Sequence, residues 1–292
     1  MAVSNRLKLR RLLVGRKLRP GYIVIPILLL ALFAFAGAFA PWLAPHSPTV
    51  TELSLRYQPP VWDAGGSWDY PLGTDALGRD ILSRMIHGAR VSLSFALLTV
   101  LLAGIAGSLL GLIAGYYGGW IDAVIMRLVD LVMSIPLIVF AMSVVVIWGS
   151  SFTNMVIIIA VLFWAGYARM ARGETLSVKE RDFVALAKIS GVSSPRIIAS
   201  HIFPNVISSL VVLATLQIGT VILLEASLSF LGVGIPPPDP TWGTMVADGR
   251  AVLDSAWWVS TFPGLAIGAV VLSFNLLGDW LRDRLDPRLR QI

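Results

Sequence analysis

Glu225 is the one acid set inside a long apolar run, with Gln217 upstream in the same run and Asn275 in the next. An ionisable group in such a place faces protein or a water-filled cavity. Glu225 therefore either touches a transported solute or pairs with a neighbouring subunit. Gln217 and Asn275 either line a pathway or bond helices together. The usual enzymatic constellations are missing. There is no cysteine, so disulfides and thiolate metal sites are excluded. His46, His87 and His201 are too scattered for a metal cluster, and no nucleophile stands with an acid–base pair. There is also no Gly-x-x-x-x-Gly-Lys-Ser/Thr phosphate loop, so the chain cannot burn ATP by itself.

The elements that hold these residues are membrane spans. Of 292 residues, 56% are hydrophobic and 14% charged, where a soluble domain carries about 25% charged. A span needs about 20 apolar residues. Six runs qualify or come close: residues 21–40, 91–115, 131–148, 155–168, 206–231 and 257–278. The Ala38-Phe39-Ala40 triplet has the small-x-small form of a signal-peptide cleavage site. Pro41 follows at once and the run is longer than a signal core, so an uncleaved first span is expected. The fold class is an all-α polytopic membrane protein with about six transmembrane helices.

Direction comes from lysine and arginine placement. Six spans put all but five of the 23 basic residues on one side, which is therefore cytoplasmic; the five are Arg56, Arg79, Arg84, Arg90 and Arg250. The net charge of +6 thus reflects orientation in the membrane, not nucleic-acid binding. The resulting plan is a cytoplasmic basic tail at 1–20, a first span at 21–40 and an outer segment at 41–90. A core of five spans follows at 91–278, with a cytoplasmic tail at 279–292. Both termini are cytoplasmic.

In the outer segment, Ile81, Leu82, Met85 and Ile86 recur at helical spacing, which predicts a separate amphipathic helix lying in the interface ahead of the second span. Between the fifth and sixth spans, residues 232–256 carry Pro236-Pro237-Pro238 and, near their ends, interfacial tryptophans suited to capping a pore mouth. Gly107, Gly111 and Gly115, four residues apart, predict close helix packing.

Cytoplasmic residues 169–205 separate two spans yet read as ordered helices. Ser177-Val178-Lys179-Glu180 fits a capping box, predicting a helix of about 13 residues that Gly191 stops. Ser194-Pro195 reads as a second helix start, and Pro204 as a kink where the chain enters the fifth span. A short rigid helix held outside the bilayer by two spans would serve as a lever docking on a soluble partner. Its candidate coupling residues are Asp182, Phe183, Ala187, Lys188, Gly191, Val192, Pro195, Pro204 and Asn205. The bland alternative is a packed connector with no partner.

Gly191 followed by Pro204-Asn205 resembles the cytoplasmic signature of permease subunits in binding-protein-dependent ABC importers. Four further stretches resemble the dipeptide/oligopeptide/nickel branch, in the order of its C-type permease. They are Pro71-Leu72-Gly73-Thr74-Asp75-Ala76-Leu77-Gly78-Arg79-Asp80, Tyr116-Tyr117-Gly118-Gly119-Trp120-Ile121-Asp122, Leu228-Ser229-Phe230-Leu231-Gly232, and Asn275-Leu276-Leu277-Gly278-Asp279 through Leu285-Asp286-Pro287-Arg288. One departure stands out. The family signature is named for a Glu-Ala-Ala run, whereas this chain has Ala185-Leu186-Ala187, without the glutamate. Docking here cannot use that carboxylate, and polar contacts fall to Asp182, Lys188 or the helix ends.

The resemblance implies an ABC type I importer permease fold in the bacterial plasma (inner) membrane. It implies four kinds of partner: a second, B-type permease as heterodimer, two ABC ATPases, an extracytoplasmic substrate-binding protein and membrane lipid. ATP and Mg would be bound by the ATPases, with no cofactor in this chain. The expected cargo is short peptides, with nickel or another small solute as the alternative. An ion-driven secondary transporter and a membrane scaffold are the readings from other classes. Uptake in vesicles without ATP, and co-purification with an ATPase, separate them.

Overall fold

The computed structural model describes residues 23–285. The basic tail at 1–20, the first two residues of the expected first span and the Asp286-Pro287-Arg288 end of the last motif lie outside the described residues. Within them the chain is helical, with one isolated bridge pairing Thr74 and Asp80 in place of any sheet. In chain order the helices are α1 (Val24–Ala38), α2 (Ala40–Leu43), α3 (Ile81–Tyr117), α4 (Gly119–Ser134), α5 (Leu137–Trp148), α6 (Phe152–Lys179) and α7 (Asp182–Ile189). They continue with α8 (Ser194–Ile197), α9 (Phe203–Phe230), α10 (Trp242–Gly249) and α11 (Trp258–Leu285). Four helical stretches are long and apolar enough to cross a bilayer: α3, α6, the run from Ser194 to Phe230, and α11. The α4–α5 pair makes a fifth if its two bent halves count as one span, and α1 is a shorter apolar helix.

Three expectations need correction. The separate interfacial helix before the second span does not exist: α3 runs unbroken for 37 residues from Ile81. No proline interrupts it, and Gly88 lies against the Trp242 ring where a break would unpack. The third span, expected to be continuous over 131–148, is broken. The α4 and α5 axes meet at 89°, because Pro136 follows Ile135 and cannot donate the next helical hydrogen bond. The capping box at Ser177 does not form either. Ser177 lies inside α6, and the helix stops only at Lys179. Arg181 then precedes α7 without any side-chain cap, so α7 has 8 residues and not about 13.

The most extensive contact between two helices joins α3 to α6. On α3, Gly107, Gly111 and Gly115 meet the α6 backbone directly. A Cβ at Gly107 would strike the Trp164 carbonyl, one at Gly111 the Ala168 carbonyl, and one at Gly115 would sit 2.7 Å from Thr175 Cβ. Helices without side chains at the contact approach closely, which is how dispersion holds helices together in lipid.

The outer segment is tied down. Asp80 caps α3, accepting hydrogen bonds from the Leu82 and Ser83 amides. Asp75 sits at 1% exposure and receives both Arg79 (2.7 Å) and the buried Arg84, whose other nitrogen reaches Asp248 of α10 at 3.3 Å. A buried charge network of this kind persists only when each member is paired. It staples the loop to α3 and α10. Trp258 adds a second staple, donating to the Thr74 carbonyl at 3.1 Å.

Candidate functional site

The cytoplasmic face is built around α7. Val184 is fully buried and Ala187 nearly so, which seats one side of the helix on the bundle. Phe183, Leu186 and Ile189 lie on the neighbouring side, 37%, 63% and 83% exposed. The helix ends in a Schellman motif. The Val192 amide donates to the Ala187 carbonyl and the Gly191 amide to Lys188, both at 3.1 Å, with Gly191 at φ +75°. That left-handed conformation favours glycine over residues with a side chain. Asp182 lies in the first turn and Lys188 in the last, each complementing the helix dipole.

Contacts to α3 hold this corner in place. The Lys188 ammonium stands 5.4 Å from the Tyr116 ring centroid, and the Tyr116 hydroxyl lies 3.4 Å from Ser194 Oγ. Lys179 donates to the Gly115 carbonyl at 3.0 Å. Two ion pairs link α6 to α4: Arg172 with Asp122, both oxygens at 2.6 Å, and Arg169 with Asp130 at 2.6 Å. Sequence reasoning missed these arginine–carboxylate pairs, whose partners lie 39 and 50 residues apart.

Beyond α7, Pro195 lies in the first turn of α8. A π-helical turn, Ile198–Ile202, then joins α8 to α9. The wider turn has a cause: Pro204 has no amide to give and its ring would crowd the carbonyl four residues back. The expected kink therefore takes the form of a π turn within a continuous helical run. Asn205 donates its side-chain amide to the His201 carbonyl at 2.7 Å.

The three polar residues proposed for a pathway do not converge. Gln217 lies over Gly166 of α6, with Nε2 3.8 Å from where a Cβ would stand. Asn275 of α11 is exposed and lies beside Gly219. Glu225 is about 12 Å further along α9 than Gln217 and is fully enclosed. Its Oε1 accepts from Ser229 Oγ at 2.7 Å and from Thr241 Oγ1 at 2.9 Å, and Gly243 leaves room for Oε2. Thr241 also caps α10 through a reciprocal capping box with Thr244. Glu225 thus ties the outer end of α9 to α10 within this chain, which sequence reasoning had weighed only as solute contact or pairing between subunits. Replacing Glu225 with Leu strands two hydroxyls, at about 1–3 kcal/mol, while Gln keeps the accepting oxygen. The thermal midpoint of the purified protein is expected to fall more for Leu than for Gln. Equal midpoints would mean that the network contributes nothing.

These features define a multi-pass helical membrane protein with a polar face at each end. The chain belongs to the family of binding-protein-dependent transport system inner membrane components, whose model matches residues 107–291, and within it to the dipeptide/oligopeptide ABC importer permeases. It is 42% identical over 264 residues to the di/tripeptide transport system permease protein DppC of Pseudomonas aeruginosa, covering 90% of this chain and 87% of the relative. It is 43% identical over 268 residues to the dipeptide transport system permease protein DppC of Escherichia coli, covering 92% and 89%. A probable D,D-dipeptide permease of Escherichia coli matches at 40% over 284 residues, covering 97% and 92%. In fold, the chain is similar to a solved structure of the MetNI methionine ABC transporter. The TM-score is 0.59 at 16% identity, over 70% of this chain and 98% of that one. The protein is accordingly a multi-pass component of the bacterial plasma membrane.

Proposed function

We propose that this chain forms half of a translocation pathway for short peptides and couples it to ATP hydrolysis on partner subunits through α7. One observation carries the coupling: α7 is anchored by Val184 and Ala187 while Phe183, Leu186 and Ile189 stand out together on the side assigned to the cytoplasm. An apolar triad on a short helix closed by a Schellman motif at its C-terminus suits a groove in a soluble partner. The sequence carries no phosphate loop, so on this reading the nucleotide chemistry, with its ATP and Mg, belongs to two partner ABC ATPases, in keeping with the family. The peptide cargo is taken from the names of the relatives and the extracytoplasmic binding protein from the description of the family; a second, B-type permease completing the pathway is what the resemblance to C-type permeases implies.

The test is a coupling measurement on the reconstituted importer. Gly191→Val forces a β-branched residue into the left-handed conformation, at about 1–2 kcal/mol, although no atom within 4 Å opposes the added carbon. The α7 terminus then frays, and peptide moved per ATP hydrolysed is expected to fall several-fold. Gly191→Asn, which tolerates that conformation, is expected to stay near wild type. Normal coupling in the Val variant would remove Gly191 from the lever.

A further inference from the structure

A second polar site lies at the opposite end of the molecule. A cavity of about 280 Å³ opens on the outer side, between the first turns of α3, the start of α6 and the proline-rich segment ahead of α10. That volume is just below the usual range of about 300–1,000 Å³ for ligand pockets, which suits a very small ligand. Arg90 and His87, three residues apart on α3, form one wall; Asp239 faces them from the loop, and Phe152 closes the apolar side. Among the described residues neither Arg90 nor Asp239 belongs to an ion pair. The outer charges nearby behave differently: Asp75, Arg79, Arg84 and Asp248 satisfy one another. Pro238 and Pro240, which flank Asp239 in the rim, have no amide hydrogen. Their carbonyls can only accept, so this rim suits a hydrogen-bond donor.

We infer that this outer cavity is a receiving site for the charged ends of a short peptide, with Arg90 taking the α-carboxylate and Asp239 the α-ammonium. The inference rests on the peptide cargo proposed above. A guanidinium fork binds a carboxylate with two parallel hydrogen bonds. An unpaired cation and an unpaired anion on facing walls select a zwitterion over either ion alone, since a singly charged ligand leaves one wall unsatisfied. Phe152, edge-on to Phe95 at 5.9 Å, is a fixed apolar surface for a peptide side chain. The position is also apt: the cavity lies towards the outer ends of two spans, α3 and α6.

The complete importer, purified in lipid nanodiscs without its binding protein, tests this by equilibrium dialysis with labelled dialanine and with dialanine amide. Wild type is expected to bind dialanine at least tenfold more tightly than the amide. Arg90→Gln is expected to weaken dialanine at least tenfold and to erase the preference over the amide, while Arg90→Lys restores part of it. Asp239→Asn, on an exposed loop, is expected to weaken dialanine similarly and leave the amide discrimination in place. Because the preference is read within each variant, it does not depend on how much protein folds. Unchanged dialanine binding in Arg90→Gln and Asp239→Asn overturns the inference. So does a wild-type importer that binds dialanine and dialanine amide equally. The peptide reading fails on a different result: a wild-type importer with its binding protein that takes up another solute and no peptide.

Discussion

Changing Leu186 and Ile189 together to Asp is expected to abolish ATP-driven transport while leaving the membrane-embedded bundle intact. Both side chains are more than half exposed in this chain, so neither supports its core. If they fill a groove in the ATPase, each contributes about 1.5–3 kcal/mol by leaving water, and a carboxylate left there without a partner costs more. The combined loss exceeds about 4 kcal/mol, or roughly a thousandfold in affinity. The ATPase should then separate from the permease during purification, and uptake should vanish. The matching control is Val184→Asp. Val184 is fully buried, so that change attacks the seat of α7 on the bundle and should reduce folded protein instead. A double variant that co-purifies with its ATPase and transports at the normal rate would leave α7 a connector.

The second large effect concerns the glycine stripe. Gly111→Ala and Gly173→Ala are the same chemical change on two packed helices, and they are expected to have opposite signs. In a helix interior alanine is better than glycine by about 1 kcal/mol. At Gly173 the new methyl meets nothing within 4 Å, so that gain should appear as a higher thermal midpoint. At Gly111 the methyl collides with the Ala168 carbonyl and falls 2.7 Å from Ala171 Cβ. Backbone cannot step aside as a flexible side chain can, and overpacking costs about 1–3 kcal/mol. The midpoint should therefore drop. Gly111→Leu carries the argument to its limit: α3 and α6 must separate along their main contact, and little assembled protein should be recovered from the membrane. Comparable yields for Gly111→Leu and wild type would show that the two helices need not touch there.

The outer and cytoplasmic faces are linked by continuous helices, not by loops. The α3 helix carries Arg84 and Arg90 near its outer start and Tyr116 at its inner end. The run from Ser194 to Phe230 carries the α7 exit at one end and Glu225 near the other. On the proposed coupling, a push at α7 would travel along these helices, and the buried Glu225–Thr241 bond joins α9 to the start of α10.

What could be known from the sequence alone was whatever depends on neighbours in the chain. Apolar run length marks a span because lipid demands that every backbone group be satisfied inside the segment. The four-residue glycine spacing marks a packed face because helix geometry returns those positions to one side. Gly191 marks a helix end because few other residues adopt its backbone angles. Tertiary structure decided the rest. Ser177 had the right spacing for a cap, yet α6 continues through it, since Ala171, Thr175 and Val178 bury their side chains by remaining helical. Residues 131–148 read as one apolar span, yet the helix breaks at Pro136 and its halves meet at 89°. Glu225 found Thr241, 16 residues on, and Arg84 found Asp248, 164 residues on. Such partners are chosen when helices assemble: a buried charge or polar group takes the nearest group able to satisfy it, and three-dimensional proximity is not a property that local spacing records.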